Sequence, residues 1–296
     1  MDYTRSYSHS PQGCQMKVRY SFSSRRTGHL ENIKKQKPKY PVLAEKVIRM
    51  SDIILEILDS RFIKETRNPE LEKQIKKENK KIIYVFNKSD LIDIKKVSEE
   101  DRMLNPKVFV SCTERRGIKE LRNKIKALSK QVENPVDKEV NRVTVGVIGY
   151  PNTGKSSVIN LLTGKSSAGI GADAGFTKAI QKVRLTSEIV LLDSPGVIPG
   201  KEYSTSDNRT WSRNTKVGAR SYGQVKNPEV VVSDLMKEYP TLLEKFYNIN
   251  TEGNSEVLME ELGRKKGFLN KGNIVDEDKT ARFILKDWQA GKIKIV

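Results

Sequence analysis

The segment VTVGVIGYPNTGKSSVINLL, residues 143–162, decides the fold of this chain. Its first seven residues are apolar and rich in β-branched side chains, as in a buried strand, and SSVINLL begins an amphipathic helix. Between them, Gly149, Gly154, Lys155 and Ser156 match the pattern G-x-x-x-x-G-K-[ST] of a phosphate-binding loop. The two glycines let backbone N–H groups turn toward phosphate oxygens, and the start of the helix adds the positive end of its dipole. The segment therefore predicts a strand–loop–helix unit that binds a nucleotide.

The loop itself supplies the residues that would contact phosphate. Lys155 is expected to reach the β- and γ-phosphates, and the Ser156 hydroxyl to bind Mg²⁺. A chance glycine-rich turn is the alternative, but the strand before the loop and the helix after it are the context that this motif requires. The predicted nucleotide contacts of the loop are Asn152, Thr153, Gly154, Lys155, Ser156 and Ser157.

A second motif, NKSD at residues 87–90, matches the guanine-reading signature of GTPases. The apolar run IIYVF precedes it, which places the motif at the carboxyl end of a strand, where open α/β sheets bind ligands. Asp90 can accept hydrogen bonds from the guanine N1–H and exocyclic amine, whereas adenine presents the opposite pattern. Asn87 and Lys88 are expected to brace the base and the phosphate loop, and Ser89 completes the motif. A solvated turn after a strand is the alternative.

Three weaker signals agree with these two motifs. The segment 108–113, VFVSCT, ends a second apolar strand and offers backbone N–H groups to the guanine oxygen. The segment 188–196, EIVLLDSPG, ends a third strand in D-x-P-G, where the aspartate would hold Mg²⁺ through water and the glycine N–H would contact the γ-phosphate. The segment 174–178, AGFTK, offers a threonine hydroxyl to Mg²⁺. The expected contact residues are Ser111, Cys112, Asp193, Gly196 and Thr177.

Composition limits the class of protein and of partner. The chain has 296 residues, a net charge of +18 and a pI near 9.7. Such a charge favours a polyanionic partner, and RNA fits better than a membrane because no strongly basic amphipathic helix stands out. Solubility alone is the alternative explanation of the charge. No apolar stretch reaches the length of a membrane span.

Cysteine and histidine are both scarce. Cys14 and Cys112 make no disulfide framework and lack metal-ligand spacing, so a reducing cytosol, and hence a cytoplasmic protein, is expected. His9 and His29 are too few for a metal cluster.

Three segments differ in composition and pattern. Residues 1–40 are basic and rich in serine, and are predicted to be an extension that is flexible or ordered by a partner. Residues 41–226 alternate strands with helices, which predicts an α/β domain with a doubly wound, mostly parallel sheet. Residues 227–296 carry apolar stripes at helical spacing, which predicts a small helical domain.

The segment 197–226 lacks clear periodicity and interleaves basic with aromatic side chains. Such a mixture suits phosphates and unstacked bases, so this segment is a candidate RNA-binding region. A solvated loop with scattered aromatic residues is the alternative. The basic and aromatic residues concerned are Lys201, Tyr203, Arg209, Trp211, Arg213, Lys216, Arg220, Tyr222 and Lys226.

In an ordinary GTPase the phosphate loop precedes the base reader, whereas here NKSD comes first and D-x-P-G last. That order resembles the circularly permuted GTPases of ribosome assembly, the YlqF/YawG-like family. ILDSRFIKETRNPELE, residues 57–72, is similar to the family's D-[AS]-R…RNP segment, and GFLNKGN with DWQ-x-G-K-I near the end is similar to archaeal-type members. The resemblance implies a permuted P-loop GTPase fold, with the region after D-x-P-G tied to a C-terminal helical domain that nucleotide state could move.

The same resemblance suggests how water and charge are handled. Val197 stands where other GTPases carry a glutamine that orients the attacking water, and valine cannot hydrogen-bond. RTGHLENIKK is similar to a G-H-M segment of the family and suggests His29 as a catalytic residue, the alternative being an exposed tail residue. Asn152 matches the asparagine of GTPases that coordinate K⁺ beside the phosphates, the alternative being a loop-bracing amide. The residues expected to act in hydrolysis are Lys155, Thr177, Gly196 and His29.

Together these motifs and the resemblance imply a switch that binds GTP and GDP, hydrolyses GTP slowly and acts in large-subunit assembly. Its cofactors would be Mg²⁺ and K⁺. Its partners would be rRNA and the large ribosomal subunit or its precursor, which would speed hydrolysis. Two alternatives stay open, namely a GTPase of tRNA modification or other RNA handling, and an RNA-binding scaffold that uses GTP as a structural ligand.

Overall fold

The computed structural model describes residues 39–136, 141–164, 180–198 and 208–295. Every element given below lies in one compact unit, Pro38–Val296. The predictions for His29, for Thr177 and for most of the extension 1–40 lie outside the described residues.

A six-stranded sheet forms the centre of this unit, with the spatial order β3-β2-β1-β4-β6-β5. Every neighbouring pair is parallel except β5 with β6, which is antiparallel. The mostly parallel sheet predicted from the sequence is therefore confirmed. The strands are β1 (Ile53–Asp59), β2 (Lys81–Asn87), β3 (Lys107–Phe109), β4 (Val143–Gly149), β5 (Gln181–Arg184) and β6 (Ile189–Asp193).

Among the described residues, six helices belong to the sheet-forming part of the chain. They are α1 (Lys39–Arg49), α2 (Ile63–Thr66), α3 (Pro69–Lys77), α4 (Glu99–Arg102), α5 (Ile118–Ser129) and α6 (Lys155–Thr163). Strand side chains alternate between the two faces, so that Ile53 and Leu55 pack with α5 and α6, while Ile54 packs with α1 and α3. Both faces are thus covered by helices, which is the doubly wound arrangement expected of a buried parallel sheet.

Parallel strands bring the two nucleotide motifs together despite their order in the chain. NKSD begins at the last residue of β2, and the phosphate loop begins after β4. The strand β1 lies between them, and all three run in the same direction. Both motifs therefore lie at the carboxyl edge of the sheet, where ligands bind in open α/β folds.

The remainder of the chain is mainly helical, as predicted for the C-terminal region. Its helices are α7 (Asn208–Lys216), α8 (Pro228–Glu238), α9 (Leu242–Tyr247), α10 (Ser255–Lys266) and α11 (Glu277–Gln289), and a hairpin of β7 (Leu269–Asn270) and β8 (Ile274–Val275) joins the last two. The sequence does not predict helix α7, because its segment shows no apolar periodicity. Within the described residues, no helix is long and apolar enough to cross a membrane.

A second core holds α8 to α11 together around Trp288, which is fully buried. The stripes predicted on α8 and α11 point into this core, including Val232, Leu235 and Ile284. Two residues from the sheet side, Phe62 and Tyr150, belong to the same core. Because Tyr150 directly follows β4, the helical region packs against the start of the phosphate loop.

Candidate nucleotide-binding site

The phosphate loop has the backbone that its glycines predict. Gly149 has φ 146° and Gly154 has φ 94°, both in a region that side chains disfavour. A Cβ atom on Gly149 would lie 2.4 Å from the carbonyl oxygen of Ile57, and one on Gly154 would lie 2.2 Å from the amide nitrogen of Asn87. The loop is therefore closely packed against β1 and against the first residue of NKSD.

Asn87 joins the base-reading motif to the phosphate loop. Its Nδ2 donates a hydrogen bond to the carbonyl oxygen of Thr153 over 2.7 Å, and the residue is buried. The backbone oxygen of Asn87 accepts a bond of 2.6 Å from the Ser60 hydroxyl. The two predicted motifs, 66 residues apart in sequence, are thus in direct contact.

Lys88 is held by a carboxylate that lies outside the predicted nucleotide motifs. Its backbone is left-handed, with φ 60°, and its Nζ lies 2.8 Å from Oδ2 of Asp59. Arg61 bonds both oxygens of the same carboxylate, through Nε at 3.0 Å and Nη2 at 2.8 Å. Burial alone would raise the pKa of Asp59, but Arg61 and Lys88 outweigh it and hold that pKa far below its usual range.

Asp90 contacts the second predicted guanine segment, VFVSCT at residues 108–113. The Ser111 hydroxyl donates to Oδ1 of Asp90 over 2.6 Å, and Ser89 N donates to the carbonyl oxygen of Val110 over 3.1 Å. These bonds fix the carboxylate of Asp90 relative to the loop after β3. Burial raises the pKa of the neighbouring Cys112 thiol to about 11, so the thiol is neutral at pH 7.

The predicted catalytic lysine and magnesium residues lie together at the start of α6. Nζ of Lys155 donates to the carbonyl oxygens of Tyr150 and Gly149, at 2.6 and 3.2 Å. Burial lowers the pKa of Lys155 to about 8, against the attraction of the Asp193 carboxylate. The Ser156 hydroxyl lies 3.0 Å from Oδ2 of Asp193, the last residue of β6.

The D-x-P-G segment packs on the phosphate loop. A Cβ atom on Gly196 would lie 2.6 Å from backbone atoms of Pro151, so only glycine allows this approach. Val197 N donates to the carbonyl oxygen of Gly149 over 3.1 Å. The Val197 side chain is only 3 % exposed and packs among residues of α1, α3 and β4. Its position in an apolar core gives it no access to a water molecule.

Asn152 makes a contact that its motif does not predict. Its backbone is left-handed, with φ 59°, and its Nδ2 donates to the carbonyl oxygen of Gly218 over 2.9 Å. Gly218 lies just after α7 in the segment 197–226. The amide therefore braces the phosphate loop against the helical region, which agrees with the loop-bracing alternative for this residue.

In the segment 197–226, several of the basic and aromatic side chains that were predicted to contact RNA pack within the protein. The Arg220 guanidinium lies 3.4 Å from the centre of the Trp211 ring, and both residues are half-buried. Tyr222 packs against the helical core. The side chain of Arg209 lies outside the described residues. Two of the three aromatic residues thus make contacts within the protein, and stacking of bases on this segment stays a prediction.

Asp59, Arg61 and Gln289 lie in the segments quoted for the family resemblance, but the sequence predicts no role for these residues. Asp59 and Arg61 stand in the D-S-R segment, and a charged pair at the end of an apolar strand is the signal that could have found them. Gln289 bonds backbone groups in the last turn of α7 and just after it, and a glutamine near the end of a helix carries no comparable signal. Among the described residues, no group of three or more His, Cys, Asp or Glu residues could hold a metal ion.

Comparison with known proteins agrees with this geometry. The family model described as 50S ribosome-binding GTPase matches residues 144–256. The GNP-bound crystal structure of YlqF from Thermotoga maritima matches 89% of this chain and 95% of its own, with a TM-score of 0.59 and 19% identity. Its GDP-bound structure matches with the same TM-score and identity. These structures and the order of the two nucleotide motifs show that the chain has the fold of a circularly permuted GTPase.

Curated GTP-binding proteins are more similar to this chain in sequence than the solved structures are. An uncharacterized GTP-binding protein of Methanocaldococcus jannaschii is 40% identical over 263 residues, which are 86% of this chain and 66% of the relative. Nucleolar GTP-binding protein 2 of Pneumocystis carinii is 36% identical, covering 84% of this chain and 51% of the relative. The protein of that name from Saccharomyces cerevisiae is 32% identical, with the same coverage. The chain thus spans between half and two thirds of the length of these relatives.

Proposed function

We propose that the chain binds GTP and hydrolyses it to GDP and phosphate. The bond from Asn87 Nδ2 to the Thr153 carbonyl is the observation that carries the proposal. It ties a guanine-reading motif to a phosphate loop, so that one nucleotide could span both. The description of the matching family model and the names of the relatives support the same activity.

Guanine recognition is assigned to the carboxyl edge of β2 and β3. Asp90 would accept from the base N1–H and exocyclic amine, and the 2.6 Å bond from Ser111 holds the carboxylate for that purpose. The backbone N–H of Cys112 would meet the guanine oxygen, whereas that of Ser111, predicted for the same role, donates to the carbonyl oxygen of Arg116 over 3.1 Å. Asn87, Lys88 and Ser89 complete this part of the site.

Phosphate binding is assigned to the loop after β4. Lys155 is buried beside two carbonyl oxygens, and a phosphate would restore the pKa that burial lowers. The loop from Asn152 to Ser157 starts α6, whose N-terminus favours anions. The backbone N–H of Gly196, adjoining Pro151, would contact the γ-phosphate.

The residues at the start of α6 fit Mg²⁺. The Ser156 hydroxyl and the Asp193 carboxylate are 3.0 Å apart, and both are oxygen donors of the kind that Mg²⁺ prefers. Oδ1 of Asp193 is buried, and in the described part of the chain it has no hydrogen-bond partner. When bound, Mg²⁺ would neutralise charge that develops on the transferred phosphoryl group. The Thr177 hydroxyl would complete this set of oxygen donors to Mg²⁺.

Water must be positioned by a group other than Val197. His29 is the candidate, and it lies outside the described residues. A K⁺ ion beside the phosphates is the second group proposed to act in hydrolysis. Asn152 would bind it through the amide oxygen Oδ1, while Nδ2 donates to the carbonyl oxygen of Gly218. Replacing K⁺ by Na⁺ should then slow turnover, and Asn152→Ala should erase the difference.

The proposed partner is the large ribosomal subunit or its precursor, which the chain would bind through rRNA in the cytoplasm. The family description, the nucleolar relatives and the net charge of +18 support it. The proposed organisation is an extension at 1–40, a GTPase domain at 41–226 and a helical domain at 227–296. Val217 and Ala219, which follow α7, share one core with α8 to α11, so movement after D-x-P-G would reach the helical domain.

GTP turnover with and without 50S-type subunits tests the proposal. A slow intrinsic rate that rises with 50S-type but not 30S-type subunits is expected, and sedimentation in each nucleotide state would show the complex. Tight GTP binding without turnover in either case would favour a scaffold that uses GTP structurally. Stimulation by tRNA instead would favour the tRNA-modification alternative.

A further inference from the structure

Gln289, at the end of α11, clamps the turn that follows α7. Its Nε2 donates to the carbonyl oxygens of Thr215 and Arg220, each over 2.8 Å, and its Oε1 accepts from Tyr222 N over 3.1 Å. Both amide protons and the carbonyl oxygen of one side chain are therefore satisfied by a single stretch of backbone. Such a side chain fixes the conformation of that stretch.

Gly218 lies between the two carbonyl groups that Gln289 binds. Gly218 has φ 78°, and its N–H donates to the carbonyl oxygen of Thr215 over 3.0 Å. Its own carbonyl oxygen accepts from Nδ2 of Asn152, in the phosphate loop. The residues that Gln289 binds therefore lie on both sides of Gly218, and Gly218 is bonded to Asn152 of the phosphate loop.

The phosphate loop is fastened at two neighbouring residues from two different elements. Asn152 is bonded to the turn after α7, and Thr153 is bonded to the first residue of NKSD. Asn152 also holds a left-handed backbone, which costs free energy in a residue other than glycine. A fixed acceptor at Gly218 offsets that cost and orients the Asn152 amide.

Attachment of α7 to α11 does not require Gln289. Nε1 of Trp288 donates to the carbonyl oxygen of Lys216 over 2.9 Å, and the Trp288 ring fills the centre of the helical core. The bonds of Gln289 instead shape the turn beyond the helix. We propose that Gln289 is a positioning residue for the phosphate loop, acting through Gly218 on Asn152. This inference rests on the proposed function, because it assigns the loop to a bound guanine nucleotide.

A double-mutant cycle tests the inference. The parent, Gln289→Met, Asn152→Ala and the double variant are compared in single-turnover GTP hydrolysis and in release of a fluorescent GDP analogue. Gln289→Met keeps the side-chain length and removes all three bonds, and it should slow hydrolysis and speed GDP release by about tenfold. Since Gln289 acts through Asn152, the double variant should be no worse than Asn152→Ala.

Gln224→Met is the matched control, because Gln224 is exposed in the same segment. It should leave both rates unchanged. The inference would be overturned if the rate changes of the two single variants multiplied in the double variant. It would also be overturned if Gln289→Met hydrolysed GTP and released GDP like the parent and only its urea midpoint were lower. If Gln289→Met does not fold, Gln289→Asn, which is one methylene too short to span the turn, replaces it in the cycle.

The two proposals fail in different ways. A parent that binds GDP but does not hydrolyse GTP removes the proposed activity, and the cycle for GDP release still decides the role of Gln289. A parent that binds neither nucleotide overturns both.

Discussion

Nζ of Lys88 lies 2.8 Å from Oδ2 of Asp59, whose side chain is fully buried. The same carboxylate holds Arg61, and Arg61 Nη1 donates to the carbonyl oxygen of Trp288 over 3.1 Å. The guanidinium also lies over the rings of Phe62 and Trp288, at 5.1 and 5.7 Å. The base-reading lysine is thus connected through Asp59 and Arg61 to the last helix of the molecule.

Asp59→Asn should strongly destabilise the fold. The substitution leaves two cations beside a neutral amide in a buried site, which typically costs about 3–5 kcal/mol. Urea unfolding measures the effect. Glu238→Gln is the control, because Glu238 pairs with Lys216 at 2.7 Å but its side chain is 43% exposed, so the change should cost at most about 1 kcal/mol. Equal costs for the two variants would contradict a buried structural role for Asp59.

Glu56→Gln should remove a pH dependence of stability. Burial, with help from the Glu72 carboxylate, raises the pKa of Glu56 from 4.5 to about 8. A carboxyl whose pKa is raised on folding binds more protons in the native state between these values, so its contribution is complete below pH 4.5 and is lost as pH rises to 8. The parent should lose up to roughly 1.4 kcal/mol per pH unit from this group within that window.

Glu56→Gln stays neutral and keeps the acceptor for Asn68 N, which lies 3.0 Å from Oε1. Its unfolding free energy should therefore fall less than that of the parent between pH 5 and pH 8, and should exceed it at pH 8. Urea titrations at several pH values give both curves. Parallel curves would mean that Glu56 ionises in the folded protein as it does in water.

Guanine specificity should depend on Asp90. Asp90→Asn should weaken GTP binding and favour xanthosine triphosphate, since the 2-position carbonyl of xanthine can accept from the new amide. Well-built polar sites discriminate by roughly 10⁴-fold. Ser111→Ala removes only the hydroxyl that donates to Asp90 over 2.6 Å, and should weaken GTP about tenfold while guanine is still preferred. Competition between GTP, ATP and xanthosine triphosphate tests this, and equal ATP and GTP affinity in the parent would contradict it.

Hydrolysis should depend on Lys155 and be indifferent to Val197. Lys155→Ala removes positive charge from the γ-phosphate and should abolish turnover. Val197→Ala removes buried apolar atoms and should cost about 1–3 kcal/mol of stability, with unchanged turnover per folded molecule. Rates normalised to the folded fraction separate these effects. A loss of turnover beyond tenfold in folded Val197→Ala protein would place Val197 in the reaction.

The sequence predicts best what local pattern controls. The start of α3 is an example: Asn68 before Pro69 is the pattern of a helix cap, and Oδ1 of Asn68 accepts from Leu71 N over 3.2 Å. The contact of Asn87 with the phosphate loop is predictable in the same way, because both motifs end strands of one parallel sheet.

Elements held by polar or long-range contacts escape prediction. The helix α7 buries Ser212 and Thr215 rather than an apolar stripe, and the Ser212 hydroxyl bonds Asp234 of α8 over 2.6 Å. Apolar periodicity, the main signal for helices, is therefore absent from its sequence. The role of Gln289 is hidden for a different reason, since its partners lie 67 to 74 residues earlier in the chain.

RNA binding should depend on exposed basic residues beyond the segment 197–226. Arg213 and Arg220 are half-buried, and Arg220 lies against Trp211. By contrast, Lys265, Lys266 and Lys271 are exposed at the end of α10 and in the hairpin that follows. Removing a lysine that binds one phosphate should reduce the steepness of the log–log dependence of affinity on salt by roughly 0.7–0.9.

Replacing these three lysines by glutamine should therefore flatten the slope by about 2 and weaken binding to 50S-type subunits, with GTP affinity unchanged. Neutralising Arg209, Arg213 and Arg220 is the comparison, and it should change the slope less while lowering stability, because two of these side chains pack within the protein. Fluorescence anisotropy with an rRNA fragment at several salt concentrations measures both slopes. If the lysine variant keeps the parent slope and the arginine variant loses it, the RNA surface is the segment 197–226. If both keep it, residues 1–40 become the remaining basic candidate, which a truncation would test.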